Sequence, residues 1–392
     1  MWAWTTLLGL VALVWLSRHI PLTRSERTDR PLASDSYEGP PADPPRVSVV
    51  VAAKDEEANI RGCIETLLNQ DYPDFEVIAV DDRSSDRTGA ILDELARRSD
   101  RLSVVHVTEL REGWYGKNNA MREGIARATG EWLCLGDADC RQISERSLSM
   151  AVRHAVDGGI DFLSVLPIMR TPGFWERVLQ PVCGAIMIFW FRPEKVNDPR
   201  SKTAYANGAF MLIRRDAYER MGGHEPVKTE VNEDMHLARI CKQQGLRLAV
   251  VQNRDLYTVR MYQGFAQTFR GWSRIFYGCF KSFRRLLISL TTLTLISLSP
   301  WISLAIGLVG LLAGGGSGWT AVTVAAAAAC VVQLTVMWRF YRVSQADRRY
   351  FITYPVGCVI AVGMLVNAML KLGGLMRITW RGTRYRADRS TG

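Results

Sequence analysis

From Leu286 to Trp338 the chain runs 53 residues without a charged side chain. One crossing of a bilayer core takes about 20 apolar residues, so this run is long enough for two. Gly314-Gly315-Gly316-Ser317-Gly318 divides it into spans over 286–313 and 319–338. A second charge-free stretch, Trp2 to Ser17, lacks a preceding Lys or Arg, and Arg18, Arg24, Arg27 and Arg30 follow it. That pattern predicts an uncleaved anchor over 1–17 with its C-terminal side in the cytoplasm. A third, within 351–372, is long enough to span. The tail 373–392, however, carries Arg377, Arg381, Arg384, Arg386 and Arg389. A spanning helix would leave this tail outside, against the positive-inside tendency, so the segment reads as transmembrane or re-entrant.

The charge sits between these ends. The chain is 48% hydrophobic and 22% charged with a net charge of +10, a mixture that only segregation explains. For an anchored protein the positive charge suits anionic lipid headgroups. No interleaving of aromatic and basic residues argues for RNA, so nucleic acid is excluded as a partner. The eight cysteines form no C-x-x-C pair and read as small buried hydrophobes in a reducing compartment. His106, His154, His224 and His236 have no metal-ligand spacing.

Residues 18–45 read as a linker, Pro-, Asp- and Ser-rich from 28 onward. A strand–helix alternation then begins. Val47–Ala53, Phe75–Val80, Leu102–Val107 and Trp132–Leu135 are continuous apolar runs, as buried parallel strands require. Helical periodicity falls between them at Ile60–Leu68, at Ile91–Leu95 and around 117–128. Repeated units of this size predict a mostly parallel sheet with right-handed crossovers. Aromatic and basic residues mix in 174–191, which Pro181 is expected to break, and in 261–285. Such mixtures suit helices lying on the bilayer surface.

Acidic groups recur where the strands end. Lys54-Asp55-Glu56-Glu57 follows the first, Asp81-Asp82 the second, and Asp137-Ala138-Asp139 the later strand. Residues i and i+2 of a strand share a side, so Asp137 and Asp139 could converge on one hard cation at the sheet's ligand-binding edge. Glu233-Asp234 follows further along.

These segments, in this order, resemble the inverting, GT-A-type family 2 glycosyltransferases: Val47 to Ile60, Val80-Asp-Asp-Arg-Ser-Ser-Asp-Arg-Thr88, Gly116-Lys-Asn-Asn119, Asp137-Ala-Asp139 and Glu233-Asp234. The membrane-flanked layout is similar to the subgroup that glycosylates lipids, including hopanoid-associated, ceramide and carotenoid-type enzymes. The resemblance implies an α/β, Rossmann-like GT-A domain over 46–260 with transmembrane helices at both ends. It implies a nucleotide-sugar donor, UDP-linked, and a lipid acceptor, in a multi-pass protein of the cell membrane (the bacterial inner membrane) with its catalytic domain cytoplasmic. Mg²⁺ or Mn²⁺ would bind Asp139, with Asp137 beside it. Ala53, Glu57, Asp82 and Lys117 would line the donor pocket. Asp234 would be the general base, with Glu233 orienting it or the acceptor. Asn207-Gly208 would lie in an acceptor-side loop. Gln267-Thr-Phe-Arg270-Gly-Trp272 has one residue more than the Gln-x-x-Arg-Trp motif of polysaccharide synthases; Arg270 and Trp272 would still close over the diphosphate. The alternatives are a processive polysaccharide synthase and an inactive nucleotide-binding scaffold.

Overall fold

The computed structural model describes residues 1–28, 30–376, 378–380 and 383–385. The chain opens with α1 (Trp2–Ser17) and α2 (His19–Thr28). The first repeats are β1 (Val47–Ala53), α3 (Ile60–Leu68), β2 (Phe75–Asp82), α4 (Thr88–Ala96), β3 (Leu102–Val107), α5 (Gly116–Ile125) and β4 (Trp132–Asp137). Next come β5 (Cys140–Gln142), α6 (Ser147–Asp157), β6 (Phe162–Leu166), β7 (Ile168–Met169), α7 (Phe174–Trp190) and α8 (Pro193–Val196). They are followed by β8 (Phe210–Arg214), α9 (Arg215–Arg220), α10 (Glu233–Gln243), β9 (Leu248–Gln252) and β10 (Tyr257–Val259). The remainder is helical: α11 (Gly264–Phe280), α12 (Phe283–Thr292), α13 (Ser299–Leu312), α14 (Ser317–Val343) and α15 (Tyr354–Leu372), before a small hairpin of β11 (Ile378–Trp380) and β12 (Thr383–Tyr385).

Two compact units result. One comprises Arg30–Arg170 and Ile188–Met261, the other Met1–Asp29, Thr171–Met187 and Tyr262–Gly392. In the first, a seven-stranded sheet has the order β3-β2-β1-β4-β8-β6-β9. Only β8 runs antiparallel to its neighbours; β1 is parallel to both β2 and β4. This is the mostly parallel, helix-flanked α/β sheet expected, and the C-terminal ends of β1, β2 and β4 lie at one edge. The central strands are buried on both faces, with Val47, Val50, Val77, Ala79, Leu133 and Leu135 inaccessible to solvent. A second sheet, β5-β10-β7, sits just beyond β4 in sequence.

In the other unit, α14 packs on α1 and on α13. A π-helical turn, Leu293–Leu298, joins α12 to α13. Pro300 has no N–H, so the Ile296 carbonyl four residues earlier loses its helical donor. The Trp15 indole fills the gap from α1, at 2.9 Å. Gln333, fully buried on α14, donates to the Ser297 carbonyl at 3.0 Å and accepts the Trp301 indole. Backbone carbonyls freed in a membrane span need such partners. Gln333→Leu and Trp15→Phe should each lower stability by about 0.6–1.7 kcal/mol, read as an earlier midpoint in detergent-denaturant unfolding; an unchanged midpoint would mean these bonds contribute nothing.

Several expectations shift. The first part of the 18–45 linker is helix α2, whose Glu26 bonds Arg339 of α14 at 2.7 Å. Pro181 does not break its segment; α7 runs through it. Residues 171–187, placed within a continuous 46–260 domain, belong instead to the helical unit. All eight cysteines are buried and free, as expected. Half of the basic tail 373–392, with Arg377, Arg381, Arg386 and Arg389, lies outside the described residues.

Candidate functional site

The loops after β1 and β2 close on each other. Lys54 Nζ reaches the Asp82 and Arg83 carbonyls, both at 3.2 Å. Asp55, at φ 52°, accepts from the Ser85 amide, and the Glu57 amide donates to Asp86. The Glu57 carboxylate is exposed and accepts the Arg87 amide at 3.2 Å. Ala53 is buried at the last β1–β2 pairing, opposite Asp81. Asp82 is buried, and its carboxylate is paired with the Arg83 guanidinium at 2.8 and 3.0 Å. Gly116, at the start of α5, leaves room for it: a Cβ there would stand 2.6 Å from Asp82 Oδ2.

In the first turn of α5, Lys117 joins two distant segments. Its ammonium lies 2.6 Å from Asp137 at the end of β4 and 2.7 Å from Glu233 at the start of α10. The start of α10 is fixed against α5 from below. Asn118 donates to the Val227 and Glu230 carbonyls, and the Tyr115 amide to the Lys228 carbonyl. Burial disfavours the Lys117 charge, but the two carboxylates outweigh it and hold its pKa well above the usual lysine range.

Asp234 is next to this pair. Its Oδ2 accepts the Gly208 amide at 2.9 Å, and its Oδ1 accepts the Met235 amide at 2.7 Å. Burial and then the Glu233 charge push its carboxyl up to about 7, against the pull of Lys117 and the two amides. Gly208 forms a bare wall: a Cβ there would stand 3.3 Å from Lys117 Nζ and 3.4 Å from Asp234 Oδ2.

Asp139 is not on the strand. β4 ends at Asp137, and Ala138-Asp139 form a turn into β5. The alternation argument therefore stops at Asp137, whose carboxylate turns to Lys117. After burial, the charges of Asp139, Glu56 and Asp137 push the Cys63 thiol above its normal range, against the pull of Arg141. Among the described residues no three His, Cys, Asp or Glu side chains form a ready-made metal cage. Oxygen donors of this kind suit a hard cation that keeps waters and takes phosphate oxygens as further ligands.

The structure thus gathers Lys117, Asp137, Glu233 and Asp234, with Asp139 beyond the strand end and Asp82 at the neighbouring loop. Arg270 and Trp272 belong to the helical unit. There Arg270 is exposed on α11, and Trp272 is buried with its indole donating to Gln180 at 2.8 Å. Two further participants escaped the sequence reading. One is the Gly208 amide. The other is His224, buried and bonded to the Tyr218 hydroxyl at 2.6 Å. Burial and the Lys117 charge push its imidazole down to about 3, so it is neutral. Gly222-Gly223, both at positive φ, were the available signal of a tight turn placing it. His236 is half-buried and lies 3.2 Å from Glu230.

A mostly parallel sheet whose strand ends carry this acidic edge is the GT-A arrangement of nucleotide-sugar-dependent transferases. A mannosyltransferase from Pyrobaculum calidifontis, solved with GDP-Man and Mn²⁺, shares the fold at a TM-score of 0.54 and 18% identity, over 86% of this chain and 99% of that one. Residues 48–222 match the model of the family Glycosyl transferase family 2. The β-monoglucosyldiacylglycerol synthase of Synechocystis is 38% identical over 185 residues, 46% of this chain and 37% of that protein. That of Trichormus variabilis is 30% identical over 183 residues, 46% of this chain and 38% of that protein. A Campylobacter jejuni GalNAc(5)-diNAcBac-PP-undecaprenol β-1,3-glucosyltransferase is 30% identical over 114 residues, 29% of this chain and 36% of that protein. The chain spans less than two fifths of the length of these curated relatives.

Proposed function

We propose that this protein transfers a sugar from a nucleotide-sugar donor, UDP-linked, to a hydroxyl of a lipid acceptor, with inversion at the anomeric carbon, from the cytoplasmic side of a cell membrane. The observation that carries the reading is the Lys117 bridge between Asp137 and Glu233, with Asp234 raised to about 7 beside it. A carboxylate with a pKa near the working pH is suited to take a proton from an attacking hydroxyl. Glu233 raises its basicity; Lys117 holds Glu233 and Asp137 in place; the Gly208 amide fixes the direction of Oδ2. Asp82, Ala53 and Glu57 would face the nucleoside, with Arg83 swinging off Asp82 as the base enters. Asp139, with Asp137 and Glu56 near, would hold Mg²⁺ or Mn²⁺. The cation would supply neutralisation of charge on the departing diphosphate. Lipid-acting relatives and the apolar helices support a membrane-resident acceptor.

The test is release of nucleoside diphosphate by the purified full chain, reconstituted with cellular lipid extract and Mn²⁺ and given UDP-linked and GDP-linked sugars in turn. Labelled lipid product supports the proposal. No turnover with any common donor would sink it, and long polymer from one donor would favour a polysaccharide synthase.

The base also predicts the pH dependence. Asp234 must be unprotonated to act, so kcat/KM should fall as pH drops through about 7. Lys117 lowers this pKa, so Lys117→Gln should move the acid limb to higher pH. An unmoved limb in that variant would separate the limb from Asp234.

A further inference from the structure

By length and hydropathy four helices could cross a membrane: Trp2–Arg27, Phe283–Leu312, Ser317–Val343 and Arg348–Leu372. We infer that only the first three cross, and that α15 begins and ends at the same membrane face, embedded in the cytoplasmic leaflet. This concerns topology and does not depend on the proposed reaction.

Contacts within the helical unit set the directions. At one end of the bundle, Met1 abuts Gly318, and Trp4 lies edge-on to Trp319 at 6.4 Å. At the other end, His19 lies 3.2 Å from Thr335 and 2.9 Å from Arg339. So α1 and α14 run parallel. The α13–α14 hairpin turns at the first end, where Trp319 packs over Gly310. One face therefore carries the last turns of α1 and α14 and, through the Trp15 bond to Ile296 and the Gln333 bond to Ser297, the π turn that precedes α13. It also carries Arg18, Arg24, Arg339, Arg342, Arg348 and Arg349, whereas the 313–318 turn has no charge. This basic face is the cytoplasmic one.

α15 starts at that face. Tyr354 meets the Trp15 ring at 5.8 Å and the Ser297 hydroxyl at 3.0 Å. From there it packs along α12 and the π turn, while α13 and α14 pack on each other and on α1. Its remaining neighbours are α7 and α11. Gly357 lies against Val178 and Val182, and Met364 Sδ is 3.7 Å from Cys183 Sγ. α15 packs along α11 as well, with Gly363 beside Phe269. α11 ends at Phe280, three residues before α12 begins. The helix thus leaves the basic face beside α12 and α11 and away from α13. A crossing helix would instead have followed α13 toward the uncharged turn.

The outward side chains Val356, Val359, Val366 and Leu370 are exposed. Their occupant is acyl chain of the cytoplasmic leaflet, because the surface continues that of the spans and ends at basic residues. The arginine-rich tail then follows on the cytoplasmic side, and the conflict between span count and charge disappears.

Single cysteines test this in sealed vesicles of both orientations with a membrane-impermeant maleimide. The eight native thiols are buried, and Gly316 has open space for a side chain. Gly316→Cys should label only in right-side-out vesicles, and Ser390→Cys only in inside-out ones. Labelling of both from the same side would overturn the inference. Should Ser390→Cys label in neither, an alkaline phosphatase fused after Gly392 decides: an inactive fusion, with a green fluorescent protein fusion bright at the same site, supports the inference, and an active phosphatase refutes it.

Discussion

Replacing Asp234 by asparagine is expected to lower kcat by about 10² to 10⁴ without loss of fold. Asparagine keeps an oxygen to accept the Gly208 amide but cannot take a proton. The charge contribution to stability has a definite sign. Burial and Glu233 raise the Asp234 pKa above its unfolded value, so the ionised carboxylate weakens the folded state once pH exceeds the unfolded pKa. A neutral replacement removes that cost but turns its amide nitrogen to the Met235 N–H that Oδ1 accepts, so the two effects oppose and the variant should unfold close to the parent at pH 8. Steady-state turnover, with thermal unfolding of the same preparations, checks both halves. Retained turnover would exclude Asp234 as the base.

Asp139→Ala should remove the cation dependence of donor binding and reduce kcat by about 10² to 10³, the effect of losing several kcal/mol of charge stabilisation. The binding readout is the more direct. UDP affinity, measured with and without Mn²⁺, should differ in the parent and coincide in the variant. Asp137→Asn makes the contrast: it breaks the 2.6 Å ion pair to Lys117, so its loss should appear in the pH profile as well as in cation dependence. If Asp139→Ala keeps the full Mn²⁺ effect on UDP, the cation is held elsewhere.

Much of the fold was readable because parallel strands are buried on both faces. Val47–Ala53 and Leu102–Val107 stand in the sheet with the limits their apolar runs imply. The strand ends followed, so the acidic edge was found. The site's internal pairing was not readable. Lys117 and Glu233 are 116 residues apart in sequence, and nothing local to either says that Asn118 will pin the 227–230 loop beneath them. Asp139 misled for a different reason: alternation holds only while the chain is extended, and the strand stops two residues earlier. The same limit applies to α7 and α15. Apolar length says that a helix prefers lipid or core, but direction and depth come from which neighbours it meets, as Gly357 and Gly363 do here.

The Trp15 bond to Ile296 joins residues 281 positions apart. At roughly 5–20 residues per second, a ribosome needs about 15 to 55 s to make the second partner after the first. Throughout that interval α1 has neither α13 nor α14 beside it, and the entire Arg30–Met261 segment emerges on its tether. The Arg30–Arg170 segment is therefore complete well before α1 can meet the partners it packs on. Trimming residues 1–17 to obtain a soluble enzyme would accordingly not remove a passive anchor. It would take the Trp15 indole from the Ile296 carbonyl and deprive α14 of one of the helices it packs against.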